Sequence, residues 1–128
     1  MRNLIGQVVV GSRLLNGKDV TIETVFVTEQ TEHGVKGIPY TDSSAYSIQY
    51  GKTLPIVGTE AFTLKVKPLN KVQRLATLRR MRNAVETELK SQNRQWVPNI
   101  YENARLALDE AVRVLTETPT VVDILVIF

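Results

Sequence analysis

The sequence predicts an α+β domain: an N-terminal antiparallel β-sheet, then an antiparallel helix pair, then a short C-terminal strand. Three observations carry this. Residues 1–67 carry strand signals, with period-two alternation in AYSIQY and AFTLKVK, whereas residues 70–117 hold two segments of helical period. Asn16-Gly17 sits between two β-branched runs, where that dipeptide readily supplies the two positive φ angles of a tight hairpin turn. Strand-like and helix-like segments are segregated rather than alternating, which disfavours a βαβ arrangement. With 128 residues, 43% of them hydrophobic, the chain has material for one core and one domain.

In chain order, VVVGSRLL and VTIETVFVT flank the Asn16-Gly17 turn as the two arms of a hairpin. Residues 28–44 (TEQTEHGVKGIPYTDSS) and 51–60 (GKTLPIVGTE) are polar and glycine-containing and read as loops. The first has some β character, enough for a short edge strand, that Gly37 and Pro39 dilute. AYSIQY places Tyr46, Ile48 and Tyr50 on one face, and AFTLKVK places Phe62, Leu64 and Val66 on one face, so each reads as a strand with a single dry side. A helix starts at the Asn70 N-cap after Pro68 and runs to about Gln92. After the break at Pro98 and Asn99, Ile100, Ala104, Ala107, Leu108, Ala111 and Leu115 form the apolar face of a second helix, ending near Thr116. Residues 119–128, including TVVDILVIF, are apolar and β-branched enough for a last strand, and they leave an edge that favours a homo-oligomer.

Composition excludes several function classes. Sixteen Lys and Arg against thirteen Asp and Glu give a net charge of +3, a weak bias toward anionic ligands. There is no Cys and one His, His33, so neither a thiolate metal site nor a histidine cluster can be assembled, and no cofactor is implied. No P-loop, dinucleotide fingerprint or nucleophile elbow occurs. The N-terminal apolar run is too short for a signal peptide, and TVVDILVIF is too short for a membrane span, so a soluble intracellular protein is expected. Glu29, Glu32 and His33 share one polar loop that could serve acid–base chemistry but is more simply a solvated surface.

The first helix poses a sharper question. Leu75, Leu78, Val85 and Leu89 define an apolar stripe, and Arg82 falls within it. Either Arg82 reaches the rim of the stripe to pair with Glu86 one turn later, or it is held for an anionic partner together with Arg79 and Arg94. The helix is biased toward arginine, with Arg74, Arg79, Arg80 and Arg82 against Lys71 and Lys90. Trp96 lies beside Arg94 in the helix break, and Tyr101 and Arg105 lie one turn apart on the border of the second helix. Aromatic faces beside guanidinium groups suit a purine nucleotide, with Asn83, Asn99 and Asn103 available for base edges or ribose hydroxyls. Against that, Trp96 could plug the end of the helix pair and Asn99 could be a helix cap.

LRRMRNAVETELKSQ followed by WVPNIYENARLALDEAV, behind hairpin strands, resembles the phage Thoeris anti-defence sponges of the class with an N-terminal sheet and a C-terminal helical pair. The resemblance implies a non-enzymatic protein of the infected host's cytoplasm. It would sequester a cyclic ADP-ribose-type signal, and in some members small cyclic oligonucleotides, as an oligomer with pockets between subunits. The ligand-binding candidates Arg79, Arg82, Asn83, Arg94, Trp96, Asn99, Tyr101, Asn103 and Arg105 rest on the side-chain argument alone. Two other readings stay open: a small phage nucleic-acid-binding or virion accessory protein, whose arginine-rich helix would touch phosphates, and a nucleotide-cleaving enzyme using Glu29, Glu32, His33 or Glu86 with a metal.

Overall fold

The computed structural model describes residues 3–41, 58, 62–94 and 97–117. They form the α+β layout: strands β1 (Val8–Leu15), β2 (Lys18–Thr31), β3 (Gly34–Pro39) and β4 (Thr63–Val66), then helices α1 (Lys71–Lys90) and α2 (Pro98–Glu117). The sheet is antiparallel throughout, in the order β3-β2-β1-β4. The expected strand over Tyr46, Ile48 and Tyr50 and the expected C-terminal strand at 119–128 lie outside the described residues.

The β1–β2 hairpin forms as its turn dictates. Asn16 and Gly17 have φ of 51° and 78°, and Leu15 faces Lys18 across the two-residue connection. The segment from residue 28, read from sequence as a loop, is instead mostly sheet. β2 continues to Thr31, turns through Glu32 and His33, and returns as β3. Two features make this possible. Pro39 ends an edge strand, where its missing N–H costs no ladder bond. Gly37 faces Val27 at a bulge between Val27 and Glu29, where a Cβ would stand 1.9 Å from the Phe26 carbonyl oxygen. Only glycine allows the two backbones to come this close. β4 keeps the alternation expected of it, with Leu64 and Val66 half-buried and Thr63 and Lys65 exposed.

α1 opens with a reciprocal cap. The Asn70 side chain accepts the Gln73 N–H at 2.8 Å, and the Gln73 side chain accepts the Asn70 N–H at 2.9 Å. The helix ends at Lys90, where the Ser91 N–H donates to the Glu88 carbonyl. α2 has Pro98 as its first residue, a position where its fixed φ suits a helix, so Asn99 lies inside the first turn.

The main core lies between one sheet face and the helix pair. Val8, Phe26, Ile38 and Tyr40 meet Leu78, Met81 and Val85 of α1 and Tyr101, Ala104, Leu108, Ala111, Val114 and Leu115 of α2. Tyr101 is fully buried here, not on the helix border where the sequence reading put it. The opposite sheet face carries a second cluster, Val9, Val25, Val27 and Val35, bordered by Leu4, Leu64 and Val66.

The buried face of α1 is also rotated from the sequence reading. Its buried residues are Arg74, Thr77, Leu78, Met81 and Val85, so at about 100° per residue the centre of the stripe lies roughly 85° from Arg82. Arg82 therefore stands at the rim with its side chain 37% exposed, and the arginine inside the stripe is Arg74, 2% exposed. The Arg74 guanidinium donates through Nη1 to the Gly6 carbonyl, and through Nε at 3.4 Å to the Asn70 carbonyl. It ties the turn preceding β1 to the first turn of α1.

Candidate functional site

Where α1 and α2 run side by side, their facing rims carry a network of ion pairs. Arg82 donates from Nε to Asp109 of α2, and its Nη2 lies 3.8 Å from Glu86. Glu86 also receives Arg105 of α2 at 3.4 Å and Lys90 at 3.9 Å. Both sequence alternatives for Arg82 named a partner on its own helix or a ligand. The strongest partner comes from the neighbouring helix, because antiparallel packing sets Arg82 beside Asp109 and Glu86 beside Arg105.

Next to this network lies a groove of about 320 Å³ lined by Arg79, Arg82, Asn83, Asp109 and Val112. Three of the residues singled out from sequence thus converge on one concavity. Arg79 and Asn83 project from the same side of α1 one turn apart. Among the described residues no hydrogen bond or ion pair is made by the exposed Arg79 side chain. The groove accordingly combines one exposed guanidinium without a hydrogen-bond or ion-pair partner among the described residues, one guanidinium engaged by a carboxylate, and one carboxamide. Its formal charge from Arg79, Arg82 and Asp109 is +1, suited to an anion with hydrogen-bonding groups beside the charge.

The other candidates are dispersed. Arg105 is held by Glu86 one turn along the helix pair. Arg94 folds back onto the end of α1, its Nη1 donating to the Leu89 carbonyl at 3.2 Å and the Ser91 carbonyl at 3.5 Å, where a cation meets the negative end of the helix dipole. Asn99 and Asn103 are exposed, and at 1.5 Å per residue they stand about 9–15 Å along α2 from Asp109. Tyr101 packs in the core, where its ring has no face left for a ligand. Trp96 lies outside the described residues. The groove's second wall, Asp109 and Val112, was missed from sequence. Asp109 is one turn after Arg105, which marks a polar border to α2, but which residue of α1 it would meet depends on the stagger of the two helices.

Glu29, Glu32 and His33 are divided between two ion pairs. Glu29 pairs with Lys36 across the β2–β3 ladder at 3.2 Å, and Glu32 pairs with His33 at 3.2 Å in the exposed turn. Among the described residues no group of three His, Asp or Glu side chains could hold a metal ion, and no helix is long and apolar enough to cross a membrane. Further along α2, Arg113 clamps Glu110 and Glu117, and its hydrogen bond holds the Glu110 carboxyl below the usual carboxylate range. The same pairing raises the Arg113 pKa further.

Compared with known proteins, the chain matches no family model, no curated protein and no solved structure.

Proposed function

We propose that the protein is a binding protein that captures an anionic nucleotide signal of the cyclic ADP-ribose type in the groove between α1 and α2 and releases it chemically unchanged. The observation that carries this reading is Arg79: an exposed guanidinium with no described partner, one turn from Asn83, on the lip of a concavity that also holds Arg82. A phosphate takes the forked donors of Arg79, and Asn83 offers a donor and an acceptor to a ribose or base edge. The resemblance of the helical half to phage anti-defence sponges supplies the substrate class, and with it a homo-oligomer working in the host cytoplasm. Sequestration needs only affinity, and slow release is its usual source.

The test is to saturate the purified protein with cyclic ADP-ribose isomers, wash it, denature it by heat, and analyse what is released by chromatography and mass spectrometry. Intact ligand recovered in a fixed ratio to protein is expected. Linear or cleaved product at more than one turnover per site would replace sequestration with hydrolysis. Arg80, exposed beside Arg79, favours duplex phosphates as the competing partner, and that reading requires affinity that falls steeply as salt rises.

A further inference from the structure

The β1–β2 hairpin is longer than the sheet that supports it. Among the described residues β4 pairs β1 over Val9–Ser12 and β3 pairs β2 from Val25 onward, with the Tyr40 N–H donating to the Thr24 carbonyl just beyond that register. From Arg13 to Ile22 the hairpin is therefore, among the described residues, a two-stranded ribbon with both outer edges open. Every side chain in this stretch is exposed, and four are large and apolar: Leu14 at 67%, Leu15 at 39%, Val20 at 38% and Ile22 at 41%. A bare two-stranded ribbon is marginal in water, and an open edge of this length is a template for another strand.

We infer that the free edge of β2, Lys18–Glu23, pairs antiparallel with the same edge of a second copy of this chain, with Val20 opposite Val20. This rests on the ribbon alone and is independent of the ligand groove.

The charge pattern of the edge selects both the partner and the register. In a closed two-fold pairing, the axis passes through a residue that faces its own copy. Centred on Asp19, the pairing sets two carboxylates face to face. Centred on Thr21, it sets Asp19 against Glu23 twice. Centred on Ile22, it drives the partner strand into the place Tyr40 already holds at Thr24. Centred on Val20, it sets Asp19 opposite Thr21 and Lys18 opposite Ile22, with no like charges opposed and a lysine stem lying over an apolar side chain. The backbone suits the same seam. The two-residue turn closes on the hydrogen-bonded pair Leu15 and Lys18, so Arg13 and Val20 form the next such pair, and Asp19 and Thr21 turn their N–H and C=O groups to the open edge. Val20 and its copy then form a non-hydrogen-bonded pair, the closer of the two kinds.

The chain has no cysteine, so a single introduced thiol reports this geometry directly. Under mild oxidation Val20→Cys should yield a cross-linked dimer roughly tenfold or more faster than Leu14→Cys, which is the more exposed of the two positions but lies on the other strand, because only the first holds its thiols at a high effective concentration. Light scattering over a concentration series should show the wild type passing from monomer to dimer. Thr21→Pro, which removes a donor only from the open edge, should shift that transition to higher concentration while leaving the circular dichroism melt unchanged. A wild type that stays monomeric at every concentration, or an oligomer in which the Val20→Cys and Leu14→Cys proteins cross-link at the same rate, overturns the proposal. The second result would leave an oligomer assembled through another surface.

Discussion

Replacing Arg79 and Arg82 separately with alanine distinguishes the two arginines of the groove. Arg79 is exposed and makes no hydrogen bond or ion pair among the described residues, so Arg79→Ala should change stability by less than about 0.5 kcal/mol. If its guanidinium grips a ligand phosphate, the same change removes charge-assisted hydrogen bonds worth roughly 1.5–3 kcal/mol, a loss in affinity of roughly 10- to 150-fold. Arg82 behaves in the opposite way. Its bond to Asp109 is partly solvent-screened, with side chains 37% and 44% exposed, and Glu86 keeps Arg105 and Lys90 when Arg82 is lost. The coupling of Arg82 to Asp109 in a double-mutant cycle should be about 0.5–1 kcal/mol by urea denaturation. To reach a ligand Arg82 must leave Asp109, so Arg82→Ala should cost less affinity than Arg79→Ala. Isothermal titration of both variants with cyclic ADP-ribose isomers gives the comparison. Arg79→Ala binding as tightly as wild type would refute the groove as the anion site, and Arg82→Ala being the more damaging change would refute the assignment of Arg82 to Asp109.

Gly37→Ala should destabilise by about 2–3 kcal/mol in a thermal or urea melt, since the new Cβ meets the Phe26 carbonyl at 1.9 Å and the strands must part; a change under about 0.5 kcal/mol would contradict this close approach. Asn70→Ala removes the side-chain acceptor of the Gln73 N–H, while the Gln73 side chain keeps its bond to the backbone N–H of residue 70, and should cost about 1 kcal/mol, with Asn70→Asp recovering most of it. The Glu110 carboxyl, lowered by its hydrogen bond to Arg113, should titrate below the usual range by NMR and return to it in Arg113→Ala. Because its folded pKa is depressed, this pairing contributes above the unfolded pKa and is lost as pH falls through the folded one, so any effect of Arg113→Ala on stability should vanish in acid.

Features set by short-range chemistry are legible in the chain alone. Asn16-Gly17 fixes the hairpin because its φ preferences need no distant partner, and Asn70 with Gln73 fixes the start of α1 through contacts three residues apart. The period of residues 100–115 likewise makes α2 an amphipathic helix with its apolar face set. Tertiary structure decided the rest, wherever the partner is remote. Residues 34–39 form a strand because β2 offers them a ladder and Gly37 fits beneath the Phe26 carbonyl, not because their own composition favours one. Arg74 rather than Arg82 is the buried arginine because the turn at Gly6, 68 positions away, supplies a carbonyl for it. Tyr101 is core and Asp109 belongs to the groove for the same kind of reason. The period of a helix fixes which residues share a face, but the direction that face points and the stagger against its neighbour are set by the packing of the whole domain.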